Sequence, residues 1–182
     1  DMTQGAIEVT NRPLDVAIQG KGFFQFRMPD GSLAYSRAGS LQQNSDGEVV
    51  NPNGQPLEPS LRIPRNATEI IINDQGKVYV QINNDPTPQE VGQVQLAMFS
   101  NEEGLLPIGQ NLFIETASSG SPTLETPNNN GAGNLRQRSL EFSNVNIISE
   151  MLQMVMLQRT FDVAMKAIKA SDQMLKDGAD LK

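Results

Sequence analysis

From Ala6 to Phe142 apolar and polar positions alternate in short runs, and from Asn144 to Lys176 they change to a helical spacing. Alternation predicts strands, because successive strand side chains point to opposite faces. Ala6-Ile7-Glu8-Val9-Thr10 alternates as far as the stop at Asn11-Arg12-Pro13. Leu14-Asp15-Val16-Ala17-Ile18 repeats the pattern up to Gly20-Lys21-Gly22. Phe23 to Phe26 and Leu33 to Tyr35 read as hairpin arms around Pro29-Asp30-Gly31, where glycine accepts positive φ. Glu48 to Val50 is a short strand between the turns Asn44-Ser45-Asp46-Gly47 and Asn51-Pro52-Asn53-Gly54. The clearest hairpin joins Glu69 to Ile72 with Lys77 to Ile82 across Asn73-Asp74-Gln75-Gly76. Past Asp85-Pro86-Thr87-Pro88, Gly92 to Phe99 reads as one strand and Gly104 to Leu112 as a loop leading into a strand, Leu112 to Glu115. Residues 118–133 are rich in Ser, Thr, Pro, Asn and Gly and predict an extended or mobile connection. Leu135 to Phe142 reads as the last strand.

The final stretch organises the rest. At alternating steps of three and four it lines up Ile147, Met154, Leu157, Phe161, Ala164, Ile168 and Leu175, a coiled-coil-like seam with a period of about 3.5 residues. Met156, Val163, Ala167, Ala170 and Met174 form a second line beside it, and Leu152 and Val155 widen the apolar surface near the start. Asn144 or Asn146 supplies an N-cap and Gly178 a stop. Such a helix spans about 45 Å. No second helix of similar length appears upstream, so the seam lacks a partner within the chain. The expected fold class is mainly β, with an irregular all-β domain of short antiparallel strands and hairpins at 1–142. One amphipathic helix follows at 143–182.

Composition narrows the chemistry. The 182 residues carry no cysteine and no histidine, which removes disulfides, thiolate sites and the commonest general base and metal ligand. A net charge of −7 argues against nucleic acid, whose binding rests on clustered Lys and Arg. No run approaches the roughly 18 apolar residues of a membrane span. With seven phenylalanines, two tyrosines and no tryptophan, the core should be mainly Ile, Val and Leu. The chain begins at Asp1 rather than Met, and we expect a fragment.

Each candidate site has a plainer reading. Gly20-Lys21-Gly22 lacks the spacing and the following helix of a phosphate loop, so it reads as a tight turn. Asp46-Gly47 and Asp74-Gln75-Gly76 do not continue into calcium-loop spacing. Asn66-Ala67-Thr68 is a chance-length sequon. Glu102, Glu103 and Glu115 read as solvated carboxylates rather than an acid/base pair. The methionines Met151, Met154, Met156, Met165 and Met174 read as interface filler, because a flexible thioether fits irregular gaps. No catalytic, cofactor-binding or metal site is expected.

Pro13-Leu14-Asp15-Val16-Ala17-Ile18-Gln19-Gly20-Lys21-Gly22-Phe23-Phe24 is similar to the P-L-D-V-A-I-x-G-x-G-F-F signature of the bacterial flagellar rod and hook proteins. Tyr35-Ser36-Arg37-Ala38-Gly39-Ser40-Leu41 is similar to their Y-[ST]-R-x-G-x-[FL] segment, and Asp46 to Val50 with Gly54 to Leu57 to the segment that follows. Gly109 to Thr116, Ser143-Asn144-Val145-Asn146 and Gln158-Arg159-Thr160-Phe161 extend the likeness to nearly the whole chain. Glu115-Thr116, Ser119-Gly120 and Gly131-Ala132-Gly133 look most like the distal-rod branch, whereas Asp162 to Ala167 is closer to the proximal one.

The resemblance implies a structural subunit of a helical tube acting as a drive shaft from motor to hook. It implies partners among other copies of the chain and neighbouring rod and hook proteins, and passage through the flagellar type III export apparatus to a basal body in the cell envelope. It also implies an N-terminal helix that pairs with the C-terminal one. The predicted subunit interface is then Ile147, Met154, Met156, Leu157, Phe161, Val163, Ala164, Ile168 and Leu175. Three rivals stand beside this reading: a proximal rod or hook paralogue, a β-domain that recruits a partner helix, and a carbohydrate-processing enzyme that the missing histidine disfavours.

Overall fold

The computed structural model describes residues 3–82, 87–145 and 147–179. The chain divides into two compact units between Ser143 and Asn144. The first is built of short strands. Ile7–Val9 (β1), Val16–Gln19 (β2), Phe24–Arg27 (β3) and Leu33–Ser36 (β4) come first, then Gln42–Gln43 (β5), Val49–Val50 (β6) and Leu57–Glu58 (β7). Ala67–Ile72 (β8), Lys77–Ile82 (β9) and Gln89–Gln93 (β10) follow as a meander. Leu96–Met98 (β11), a 3₁₀ turn at Glu102–Gly104, Leu106–Gly109 (β12) and Leu112–Ile114 (β13) lead to Thr123–Glu125 (β14), Asn134–Gln137 (β15) and Ser139–Glu141 (β16). The second unit is the helix Ile147–Ala179 (α1).

Every ladder among the described residues is antiparallel, in the local hairpins and in the long-range pairings alike. The largest sheet has the order β12-β13-β4-β3-β7, and β10-β9-β8 forms a second one. β2 pairs with β15, β5 with β6, β11 with β14, and β1 with β16. The β3–β4 ladder is buried on both faces, because its side chains alternate between two cores. Phe24, Phe26 and Ala34 enter the larger cluster with Val16, Ile18, Leu57, Val78, Val80 and Leu96. Phe23 and Tyr35 enter a smaller one with Ala97, Phe99 and Leu105. The first is mainly aliphatic as expected, with Phe24 and Phe26 as its aromatic members. The second is not: Phe99 meets Tyr35 and Phe23 edge-on, with centroids 4.8 and 5.8 Å apart, a favoured quadrupole geometry.

Four stretches depart from their expected form. Gly92 to Phe99 is two strands rather than one. The run breaks where Val94 donates to the Gly76 carbonyl at 2.8 Å, so β10 extends the meander while β11 turns to β14. The loop before Leu112 contains β12, whose hairpin with β13 turns at Gln110 and Asn111, both at positive φ. Residues 118–133 hold β14 and hydrogen-bonded turns, including Ala132 N–H to the Asn129 carbonyl at 2.8 Å. Finally, Leu135 to Phe142 divides at Arg138, whose φ of 59° redirects the chain from β2 to β1. The helix passes the expected stop at Gly178 and reaches Ala179, the last described residue. The cap candidate Asn146, the turn residues Asp85 and Pro86, and Asp1 lie outside the described residues.

Candidate assembly site

α1 has 33 residues, a length of about 50 Å. Glu150 lies in its first turn, where the helix dipole favours negative charge. Thr160 satisfies its hydroxyl by donating to the Met156 carbonyl at 2.9 Å, so this polar residue adds no demand to the apolar stretch. The predicted interface residues Met154, Met156, Leu157, Phe161, Val163 and Ile168 are all exposed, Leu157 at 73 % and Phe161 at 66 %. Ala164 is exposed with them. Ile147 and Leu175 are on the helix, and their side chains lie outside the described residues.

A further stripe joins this surface. Ile148, Met151, Leu152 and Val155 occupy i, i+3, i+4 and i+7 and are exposed too. The next positions on that stripe are Arg159, Asp162 and Lys166. The first turns of α1 are therefore apolar on two faces and the later turns on one side only. Sequence reading caught Leu152 and Val155 but did not join them to Ile148 and Met151, although the spacing was there to see. Contiguous apolar exposure on this scale makes this face a candidate interaction surface.

The β-rich unit brings its first and last strands together. In the β1–β16 ribbon Ile7 faces Glu141 and Val9 faces Ser139, and Phe142 N–H donates to the Ala6 carbonyl at 2.8 Å. The chain thus enters this unit and leaves it at one place. Residues of the signature motifs hold that place. Asp15, fully buried, accepts from Thr10 Oγ1 at 2.6 Å through Oδ2 and has Arg12 Nε 3.7 Å from Oδ1. Arg37 donates from Nε and Nη2 to Glu141 Oε2 at 3.1 and 2.9 Å, and Glu141 Oε1 accepts from Gly5 N–H at 2.9 Å.

The remaining candidates resolve into structural parts. Gly20-Lys21-Gly22 is a turn at positive φ against a second glycine segment, with Gly133 N–H on the Lys21 carbonyl at 2.8 Å. A Cβ on Gly20 would stand 2.9 Å from Gly133 Cα, so backbone rather than phosphate occupies the space. Asn44 Oδ1 accepts from Asp46 N–H and Glu48 N–H, closing the turn on itself. Glu102 and Glu103 line a depression of about 530 Å³ with Lys21 and Arg37, whereas Glu115 lines a separate one beside Thr116. Burial first, and the Glu115 carboxylate second, push the Tyr35 hydroxyl above its usual range. Among the described residues no group of three or more carboxylates is placed to hold a metal ion, and no helix is long and apolar enough to cross a membrane.

Comparison with known proteins agrees with this arrangement. Residues 17–80 match the family model for the flagellar hook protein FlgE/F/G D1 domain, and 136–181 match that for the flagellar basal body rod FlgEFG protein C-terminal. The chain is 45 % identical over 179 residues to the flagellar basal-body rod protein FlgG of Caulobacter vibrioides, covering 98 % of this chain and 68 % of that one. It is 43 % identical over 174 residues to the FlgG of Buchnera aphidicola, covering 96 % and 67 %. Likeness to the Caulobacter flagellar hook protein FlgE is lower, 34 % over 152 residues, covering 82 % of this chain and 24 % of the hook protein. The chain belongs to the FlgG family of flagellar basal-body rod proteins.

Proposed function

We propose that this chain is a structural subunit of the distal flagellar rod, assembling with copies of itself and with neighbouring rod and hook proteins into a helical tube. Contacts that do not close into a ring generate such a filament. The observation that carries the reading is the exposed seam of Met154, Leu157, Phe161 and Ile168 on a helix of 33 residues. The β1–β16 ribbon supports it, because chain preceding Gly5 starts beside the segment that leads into α1. In this reading the seam pairs with a helix contributed by that preceding chain and with other subunits. The work is mechanical, with torque passed through packed surfaces and no enzymatic step. The route is export by the flagellar type III apparatus, and the end point is the basal body within the periplasm.

Phe161→Asp tests this. The side chain is 66 % exposed here, so the β-rich unit should keep its thermal transition. In a buried assembly joint the unpaired charge would cost several kcal/mol and block rod formation and swimming. Swimming cells with normal rods would refute the interface. A second reading, a proximal rod paralogue, is favoured by the run Asp162 to Ala167. Tomography of tagged basal bodies separates the two by where the label falls along the shaft.

A further inference from the structure

The β1–β16 ribbon is two-stranded and buries little. Glu8 and Val9 are exposed, Ile7, Leu140 and Glu141 are half-buried, and only Ser139 among its paired residues is buried. A two-stranded ribbon with so small an apolar face is marginal by itself in water. Yet it fixes where the chain enters and leaves the unit. We propose that Arg37 is the positioning residue of this exit, clasping β16 and the segment before β1 to the rigid core through the Glu141 carboxylate.

Glu141 uses one oxygen for Arg37 Nε and Nη2 and the other for Gly5 N–H, so its single carboxylate bridges the core to the entering and leaving segments of the unit. Arg37 donates further to the Gly20 carbonyl at 3.0 Å and, at 3.4 Å, to the Gly22 carbonyl. Its guanidinium also sits 5.9 Å from the centroid of the Phe23 ring, in cation–π range. Phe23 is fully buried, which ties the cation to the aromatic cluster. Arg37 and Glu141 side chains keep only 15 % and 12 % of their exposure, unlike the surface pair of Arg27 and Glu58 at 57 % and 29 %. Charge-assisted bonds in such a site are shielded from solvent screening. Gln4 reinforces the same corner, donating to the Ile18 carbonyl at 2.9 Å and accepting from Gly20 N–H at 3.2 Å. The other end of the ribbon has its own anchor in Asp15, through Thr10 Oγ1. The ribbon is thus pinned at both ends by signature-motif side chains and little by its own burial. Resting on the rod reading, the clasp would hold together the two segments by which the chain enters and leaves the β-rich unit.

Amide hydrogen exchange on the 182-residue chain tests the clasp without assembly. In Arg37→Met the Gly5 and Phe142 amides should exchange at least tenfold faster, while Phe26 and Tyr35 in β3 and β4 stay within twofold. Glu141→Gln, which keeps the side-chain shape, should move the same two amides in the same direction. It carries the test if Arg37→Met fails to fold. The double variant should be no faster than Arg37→Met alone, because both act through one contact. Arg27→Met, removing a surface pair, should leave Gly5 and Phe142 unchanged. No acceleration at Gly5 and Phe142, or equal acceleration throughout the unit, would overturn the proposal. Either result leaves the rod reading standing, whereas normal rods with Phe161→Asp would remove that reading and not this one.

Discussion

Gly39→Ala isolates a single steric cause. Gly39 stands in the Tyr35 to Leu41 segment and, unlike ten other glycines, does not occupy the positive-φ region, so its role is space rather than backbone freedom. A Cβ there would lie 1.7 Å from the Val16 carbonyl oxygen, 2.7 Å from its carbon and 3.2 Å from Phe24 Cε2. Reaching the 3.0 Å that real Cβ contacts respect requires a shift of 1.3 Å. The obstacle is backbone of a strand that is buried on both sides. Gly39 also accepts from Val16 N–H at 3.0 Å, and that bond lengthens with any such shift. Overpacking of this kind costs roughly 1–3 kcal/mol, and the strained hydrogen bond about 1 kcal/mol more. Alanine's lower unfolded-state entropy returns about 0.5 kcal/mol. The net loss is about 3 kcal/mol, a fall in Tm of roughly 10 °C for a unit of this size. The assay is thermal unfolding of the 182-residue chain by calorimetry, with Gly31→Ala as comparison. Gly31 has φ 85° and nothing within 4 Å of an added Cβ, so its cost is limited to left-handed strain of about 1 kcal/mol. A Gly39→Ala variant within 1 kcal/mol of wild type, or less damaging than Gly31→Ala, would refute the reasoning.

Two other perturbations follow from hydrogen bonds at strand margins. The Gln137 side-chain amide accepts from Ile72 N–H at 3.0 Å and donates to the Ile70 carbonyl at 2.8 Å and that of Pro13 at 2.7 Å. It completes the edge of β8 as a neighbouring strand would. Gln137→Leu should cost about 1–3 kcal/mol and speed exchange of the Ile72 amide, and unchanged exchange there would disprove the bridging role. Glu48 accepts hydrogen bonds from Arg62 and Asn44, which hold its carboxyl below the ordinary 4.5. The ionised form is the one the fold favours, so its contribution is complete above that pH and lost as pH falls through the lowered folded value. The stability gap between wild type and Glu48→Gln should therefore close on acidification. A gap that widened would reverse the assignment.

Strands bounded by strong turn chemistry were legible in the chain, and those that change partner were not. The hairpin of β8 and β9 is local, with alternation on both arms and a turn ending in glycine, so its pairing follows from neighbouring residues. Gly92 to Phe99 alternates without a break, and what divides it is the distant carbonyl of Gly76. Arg138 offers no turn signal either, and its positive φ is imposed by β2 and β1 competing for one run. The composition of 118–133 suggested freedom, whereas Ser119 is buried with its hydroxyl bonded to Thr116. Pairs such as Arg37 and Glu141 lie 104 positions apart, beyond any periodicity. The motif marked Arg37 without giving its partner. The helix α1 was readable from its spacing, because helical periodicity needs no tertiary information.

The β1–β16 pairing also has a temporal side. Ile7 and Glu141 are 134 positions apart in the chain and adjacent in the ladder. Closing so long a loop costs only about 0.6 kcal/mol more than closing one half its length, so equilibrium stability hardly registers the distance. Order of events does. Contacts between remote residues form late, and this ribbon cannot form before residue 141 has emerged. A truncated or partly delivered chain leaves β1 as a bare edge and Arg37 facing no carboxylate. The pairing therefore makes the first strand of this unit wait for its last.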